Sequence, residues 1–186
     1  MRVITVRSII SRRKRKKVNL TRQEIPDCQV KDAADQYMNA LILLNKMPPM
    51  SGVLLPLINT AAIAIELYLK SLSSEVIHTP QENMENMYIV TAKPQQFGHG
   101  LVSILKKIPE DYVAEINQIY ASLHNHDSRN FKAVLDSLEG AFMQSRYPFE
   151  KGADISKYSL KDIKNVSQFL SDYVNGLEVK ETIYGC

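Results

Sequence analysis

Four histidines, two cysteines and a dense basic run hold most of the reactive potential of this 186-residue sequence. Histidine titrates near neutrality, which suits proton transfer or contact with phosphate. His99 stands between Gly98 and Gly100 at the expected start of a helix. The glycines let a ligand come close to the backbone, so a proton-shuttle or phosphate-binding role competes with a capping or packing one. His124-x-His126-Asp127 resembles a fragment of a metal site. No further ligand cluster accompanies it and no Cys/His spacing suggests zinc, so neither a metal nor another cofactor is expected. Arg146 and Tyr147 offer a guanidinium for phosphate and a ring for a base. Alternatively, Tyr147-Pro148 simply ends one helix and seats the next. Glu66 falls within an apolar helical stretch with Lys70 one turn on. Buried carboxylates with a shifted proton affinity often mark sites, but Glu66 can equally pair with Lys70 or cap the Arg146 guanidinium.

Charge is distributed unevenly. Residues 1–22 hold nine of the 23 basic side chains and no acid, which leaves 14 basic against 20 acidic groups, a net −6, in the rest. An acidic body is a poor general binder of polyanions, so attraction to nucleic acid is expected in the extension or in a local patch. Within the extension Arg12, Arg13, Lys14, Arg15, Lys16 and Lys17 form an unbroken run. It suits a nucleic-acid tail, a contact with anionic membrane, a targeting signal or a solvated arm without a specific partner. Residues 1–10 carry too short an apolar run for a secretory signal, although an acid-free, Arg- and Ser-bearing start also fits an organelle presequence. Cys28 and Cys186 do not form a disulfide framework, which fits a reducing, cytoplasmic setting.

The elements that must position these residues are helices. Apolar positions recur at helical spacing in residues 27–47, 55–74, 99–108, 110–124, 130–144 and 159–177. Asp27 is a suitable N-cap for the first. The second is apolar on nearly every face, as befits the centre of a bundle. Although residues 53–72 are the most apolar stretch, Pro56, Asn59, Thr60, Glu66 and Lys70 interrupt them, so a buried helix is expected and no membrane span. Residues 75–98 lack a period and read as a long connection with a short strand or turn at 88–91. Strands otherwise have little support. The expected architecture is all-α: an up-and-down bundle of five to six helices over residues 27–180. A disordered basic extension, residues 1–26, precedes it, and residues 181–186 form a tail.

Three pieces, in order, resemble the HEPN domain family of helical bundles. Residues 61–72 read AAIAIELYLKSL, similar to that family's Ala…Glu…Leu-Lys-x-Leu helix. His99-Gly-Leu-Val-Ser-Ile is similar to its His-x-Leu-x-x-Leu helix start, with Ile104 in the last place. Arg146-Tyr147-Pro148 resembles the Arg-Tyr-Pro before the final helix of several members. The resemblance spans residues 27–179 and implies a homodimer that acts on RNA or nucleotides in a toxin–antitoxin or antiviral defence system. In some members a partner nucleotidyltransferase modifies a tyrosine two residues after the catalytic histidine. Active members are metal-independent ribonucleases that use an arginine followed, after four to six residues, by a histidine.

This chain departs from that pattern. No arginine in it precedes a histidine at the required spacing. Arg129-Asn130 is the nearest counterpart, but the histidine position falls on Val134, or on Leu135 or Asp136 at longer spacing, and the modified tyrosine is absent. Asn130, with Glu66 and Lys70, is then expected to serve a structural role or a polar core. The leading expectation is a dimeric, catalytically degenerate module that binds RNA, a nucleotide or a partner, and no enzyme. A competing one keeps metal-independent endoribonuclease activity at a rearranged site, Arg129 or Arg146 with His99, His124 or His126. A third is a helical interaction protein whose basic arm docks on nucleic acid. For self-association, residues 129–149 offer Phe131, Phe142, Met143, Tyr147 and Phe149, the residue types that enrich interface cores.

Overall fold

A computed structural model of the chain describes residues 20–80, 88–94, 98–123 and 129–185. Strand β1 (Leu20–Ile25) leads into α1 (Cys28–Asn45) and α2 (Leu54–Ser71), followed by β2 (Ser74–Pro80) and β3 (Tyr88–Pro94). Then come α3 (Leu101–Leu105), α4 (Glu110–Leu123), α5 (Phe131–Ser137) and α6 (Ala141–Arg146). A 3-10 turn (Ile155–Lys157), α7 (Leu160–Gly176) and β4 (Lys180–Gly185) complete the order. The protein is mostly helical, and its body is the expected all-α bundle.

The bundle is built around α2. Ala61, Ala64, Tyr68 and Leu69 are fully buried, and α2 packs against α1, α3, α6 and α7. Two alanines at zero exposure bring neighbouring helix backbones close, and the large side chains around them fill the remaining volume. This helix is long and apolar enough to cross a membrane by length and composition, yet most of it is buried inside the protein. The cap read in sequence does its work: the Asp27 side chain accepts from the Val30 amide at 3.0 Å, and the Asp27 amide donates to Ser71 O at 2.8 Å, tying the start of α1 to the end of α2. At the far side Tyr120, Phe131 and Phe169 form an aromatic cluster with centroids 5.0–5.5 Å apart.

Two boundaries need correction. The expected helix over 130–144 is two helices, because Gly140 adopts a left-handed φ of 79° and redirects the chain between α5 and α6. The basic extension and the tail are also not wholly outside the fold. Their inner residues form β1 and β4, which join β2 and β3 in a four-stranded antiparallel sheet of order β3-β2-β1-β4. Leu20 pairs with both His78 and Gly185, and Ile25 with Lys180. Residues 88–91, where a short strand or turn was expected, are the first half of β3, which pairs in full with β2. Ile25, at the end of β1, is buried and belongs to the main core. The run Arg12–Lys17 lies outside the described residues, as do His124, His126, Asp127 and Cys186.

A polar network joins α1, α2 and α7. Asp35 accepts from the Tyr68 hydroxyl at 2.7 Å, from Asn175 Nδ2 at 2.9 Å and from Lys31 Nζ at 2.9 Å. With the phenol proton committed to Asp35, Ser171 Oγ donates to the Tyr68 oxygen at 3.0 Å. Burial pushes the Asp35 carboxyl up, but its three donors outweigh that and hold it below its usual value. Burial and the neighbouring Asp35 push the Tyr68 phenol well above its ordinary value. A carboxyl depressed on folding contributes stability above its unfolded pKa and loses it as pH falls through the folded value. A phenol raised on folding contributes stability below its unfolded pKa and loses it as pH rises. Stability should therefore fall below about pH 4 and above about pH 10. Asp35→Ala should cost about 1–3 kcal/mol at neutral pH in urea unfolding, and should flatten the acid limb. An unchanged acid limb would assign that dependence to other carboxylates.

Candidate functional site

The site grows from the middle of α2. Glu66 and Lys70 lie one turn apart, and Lys70 Nζ reaches Glu66 Oε1 at 2.6 Å. Glu66 is nine-tenths buried, with its side chain 8% exposed, and such a carboxylate needs partners. Its second partner comes from the loop before α3. His99 Nδ1 lies 2.9 Å from Glu66 Oε2 and 3.1 Å from Oε1. An ionised carboxylate only accepts, so Nδ1 carries the proton and Nε2 is the nitrogen turned away from Glu66. The imidazole remains 46% exposed.

Glycines bring the histidine there. Gly98 has φ 98°, a left-handed conformation that L side chains rarely adopt. A Cβ at Gly100 would come within 3.1 Å of Glu139 Oε1, while Glu139 Oε2 accepts from the Val102 amide in the first turn of α3 at 3.3 Å.

Helix α6 supplies the other wall. The Phe142 ring sits 4.4 Å from the His99 ring, centroid to centroid, and Arg146 Cζ lies 5.2 Å from both the Phe142 and Tyr147 rings. Phe142 is therefore the floor shared by His99 and Arg146. Asn59 of α2 pins this wall, donating to Phe142 O at 3.3 Å and to Ser145 Oγ at 3.1 Å. Arg146 and Tyr147 are both exposed, and among the described residues Arg146 has no carboxylate partner. Of the two partners that the sequence left open for Glu66, Lys70 is found and Arg146 is not. Glu66 takes His99 and Lys70, and Arg146 rests on aromatic rings.

Arg129 lies elsewhere and is engaged. Its Nη1 and Nη2 donate to Asp162 Oδ2 and Oδ1 at 2.9 and 3.1 Å, a bidentate pair between the start of α5 and the first turn of α7. Asn130 caps α5, its Oδ1 accepting from the Ala133 amide at 2.8 Å. Arg129-Asn130 thus ties helix ends together and does not join the His99 cluster. Of the positions where a catalytic histidine would follow, Val134 and Leu135 are fully buried and the third holds the exposed Asp136. Replacing Arg129 with Ala should leave Asp162, itself 7% exposed, without its cation. A cost of about 1–3 kcal/mol in denaturant unfolding is expected, with no change in any affinity for RNA. Loss of RNA affinity at unchanged stability would restore Arg129 to the site.

Among the described residues no group of three or more His, Cys, Asp or Glu could hold a metal ion. Phe142 is the site residue that sequence reasoning missed, having been placed among the self-association candidates and not beside His99 and Arg146. Its i, i+4 spacing to Arg146 on a helix was the available signal. Asp162 was missed because its partner lies 33 residues away. The site therefore consists of a half-exposed imidazole oriented by a buried carboxylate, beside a guanidinium stacked on two rings, an arrangement that can bind a phosphate, stack a base and accept a proton at Nε2. Comparison with family models, with curated proteins and with solved structures found no match.

Proposed function

We propose that the chain is a dimeric, HEPN-like helical module that binds RNA or nucleotides without ribonuclease activity of the Arg–His kind. In this reading it works in the cytoplasm within a toxin–antitoxin or antiviral defence system, with a nucleotidyltransferase as the partner to seek. The observation that carries the reading is Arg146: exposed, without a carboxylate among the described residues, and stacked on Phe142 and Tyr147 beside His99. A guanidinium held this way is ready for a phosphate oxygen, and the Tyr147 ring for a base. Arg129, the arginine that the family pattern would use, is committed to Asp162.

Fluorescence anisotropy with a short single-stranded RNA tests the binding. Arg146→Ala should weaken it about tenfold and lower the salt slope by about 0.7, one phosphate contact. Equal affinity and slope in wild type and variant would remove Arg146 from the site.

A second reading has its own observation, the Glu66–His99 pair. A carboxylate that fixes Nδ1–H leaves Nε2 able to take a proton from a ribose 2′-hydroxyl. That oxygen would then attack the adjacent phosphorus, and the 5′-oxygen would leave. Incubation of total RNA with purified protein in excess chelator decides between the readings. The binding reading expects no cleavage above a His99→Ala, Arg146→Ala double variant, whereas cleavage that the double variant abolishes establishes the ribonuclease.

A further inference from the structure

We propose that the end of the bundle formed by the α1–α2 turn docks on an anionic phospholipid surface. Residues 46–53 of this turn read KMPPMSGV. Met50 is fully exposed at 101% and is held at φ 67°, the left-handed region that a side-chain-bearing residue rarely occupies. Met47 and Leu54 are 48% and 49% exposed, and Leu160, arriving from the start of α7, is 38% exposed. These side chains border a shallow groove of about 710 Å³ with no carboxylate in its lining. Contiguous apolar surface of this kind marks contact with another phase or molecule.

The charge around the groove points to the occupant. Lys164 lines it, and Lys46 and Lys161, each next in sequence to a lining residue, are exposed. None of the three is in an ion pair among the described residues, although residues 23–186 carry a net negative charge. Apolar tips flanked by lysines match the two layers of a bilayer surface, with acyl chains for Met47, Met50 and Leu54 and headgroup phosphates for the ammonium groups. The patch has no aromatic or arginine anchor of the kind that dominates protein–protein hot spots. It shares no residue with the Glu66–His99–Arg146 cluster and does not depend on the function proposed for that cluster.

Co-sedimentation of the full chain with vesicles of equal parts phosphatidylglycerol and phosphatidylcholine tests the proposal. Wild type should pellet with these vesicles and not with phosphatidylcholine alone. A Met47→Ser, Met50→Ser variant alters only exposed side chains and should lose at least tenfold in vesicle affinity. A Lys46→Gln, Lys161→Gln, Lys164→Gln variant should lose about a hundredfold. Unchanged affinity in the methionine variant would assign all lipid binding to the basic run and overturn the docking surface. Wild type that ignores vesicles but self-associates through Met50 would overturn it in favour of a contact between copies.

Discussion

Removal of residues 1–19 should abolish most of the chain's sequence-independent affinity for single-stranded RNA and DNA at low salt. That segment holds eight basic side chains and no acid, whereas the chain from Leu20 onward carries 15 basic and 20 acidic groups. Each phosphate contact releases counterions and adds about 0.7–0.9 to the slope of log affinity against log salt. If about four of the basic groups engage phosphates, the full chain should lose roughly 50- to 150-fold in affinity between about 50 and 200 mM salt. The shortened chain should show a slope near that of one or two contacts, the residue left to Arg146 and its neighbours. The cut must stop at Asn19. A chain starting at Gln23 would lose the half of β1 that pairs with both β2 and β4, and a loss of binding would then be confounded by a damaged sheet. Unchanged affinity and slope after the shorter cut would place the nucleic-acid surface on the bundle.

Sedimentation of the wild type at micromolar concentration should give about twice the 21.1 kDa chain mass. Phe149 is 97% exposed, Met143 42% and Tyr147 40%, all within or just after α6. Three large side chains in water so close together are a surface ready to be covered. Phe149→Asp places a charge at the centre of that surface and should weaken association at least a hundredfold, the size typical of an interface hot spot. The helical circular-dichroism signal should persist, because Phe149 contributes nothing to the monomer core. Phe131, counted in sequence among the same interface candidates, belongs instead to the aromatic cluster and is 1% exposed. Phe131→Ala should therefore cost about 3–5 kcal/mol of stability and leave the mass of the folded species unchanged. A wild-type monomer would remove a site composed across two copies, and with it much of the functional force of the HEPN resemblance.

The residues themselves determined the helices and the order of burial. Asp27 ahead of α1 and an α2 apolar on nearly every face are local signals, because capping and helical periodicity operate within a few residues. The Glu66–Lys70 pair was legible for the same reason, one helical turn separating its members. Gly140 was visible in sequence, but only its left-handed backbone turned one expected helix into two. The sheet was a different matter. Clusters such as VIHT in β2 and YIVT in β3 were available as strand signals. Yet β1 lay within a basic extension and β4 within a tail, with their partners remote in the chain. A strand is stabilised by a neighbour it cannot specify alone, so tertiary structure decided which segments paired. The candidate site follows the same division. Sequence could nominate Glu66, His99, Arg129 and Arg146 by type. Two contacts, each across 33 residues, settled that Glu66 orients His99 and that Asp162 claims Arg129. A carboxylate takes whichever donor the packed helices bring within about 3 Å, and that geometry exists only after folding.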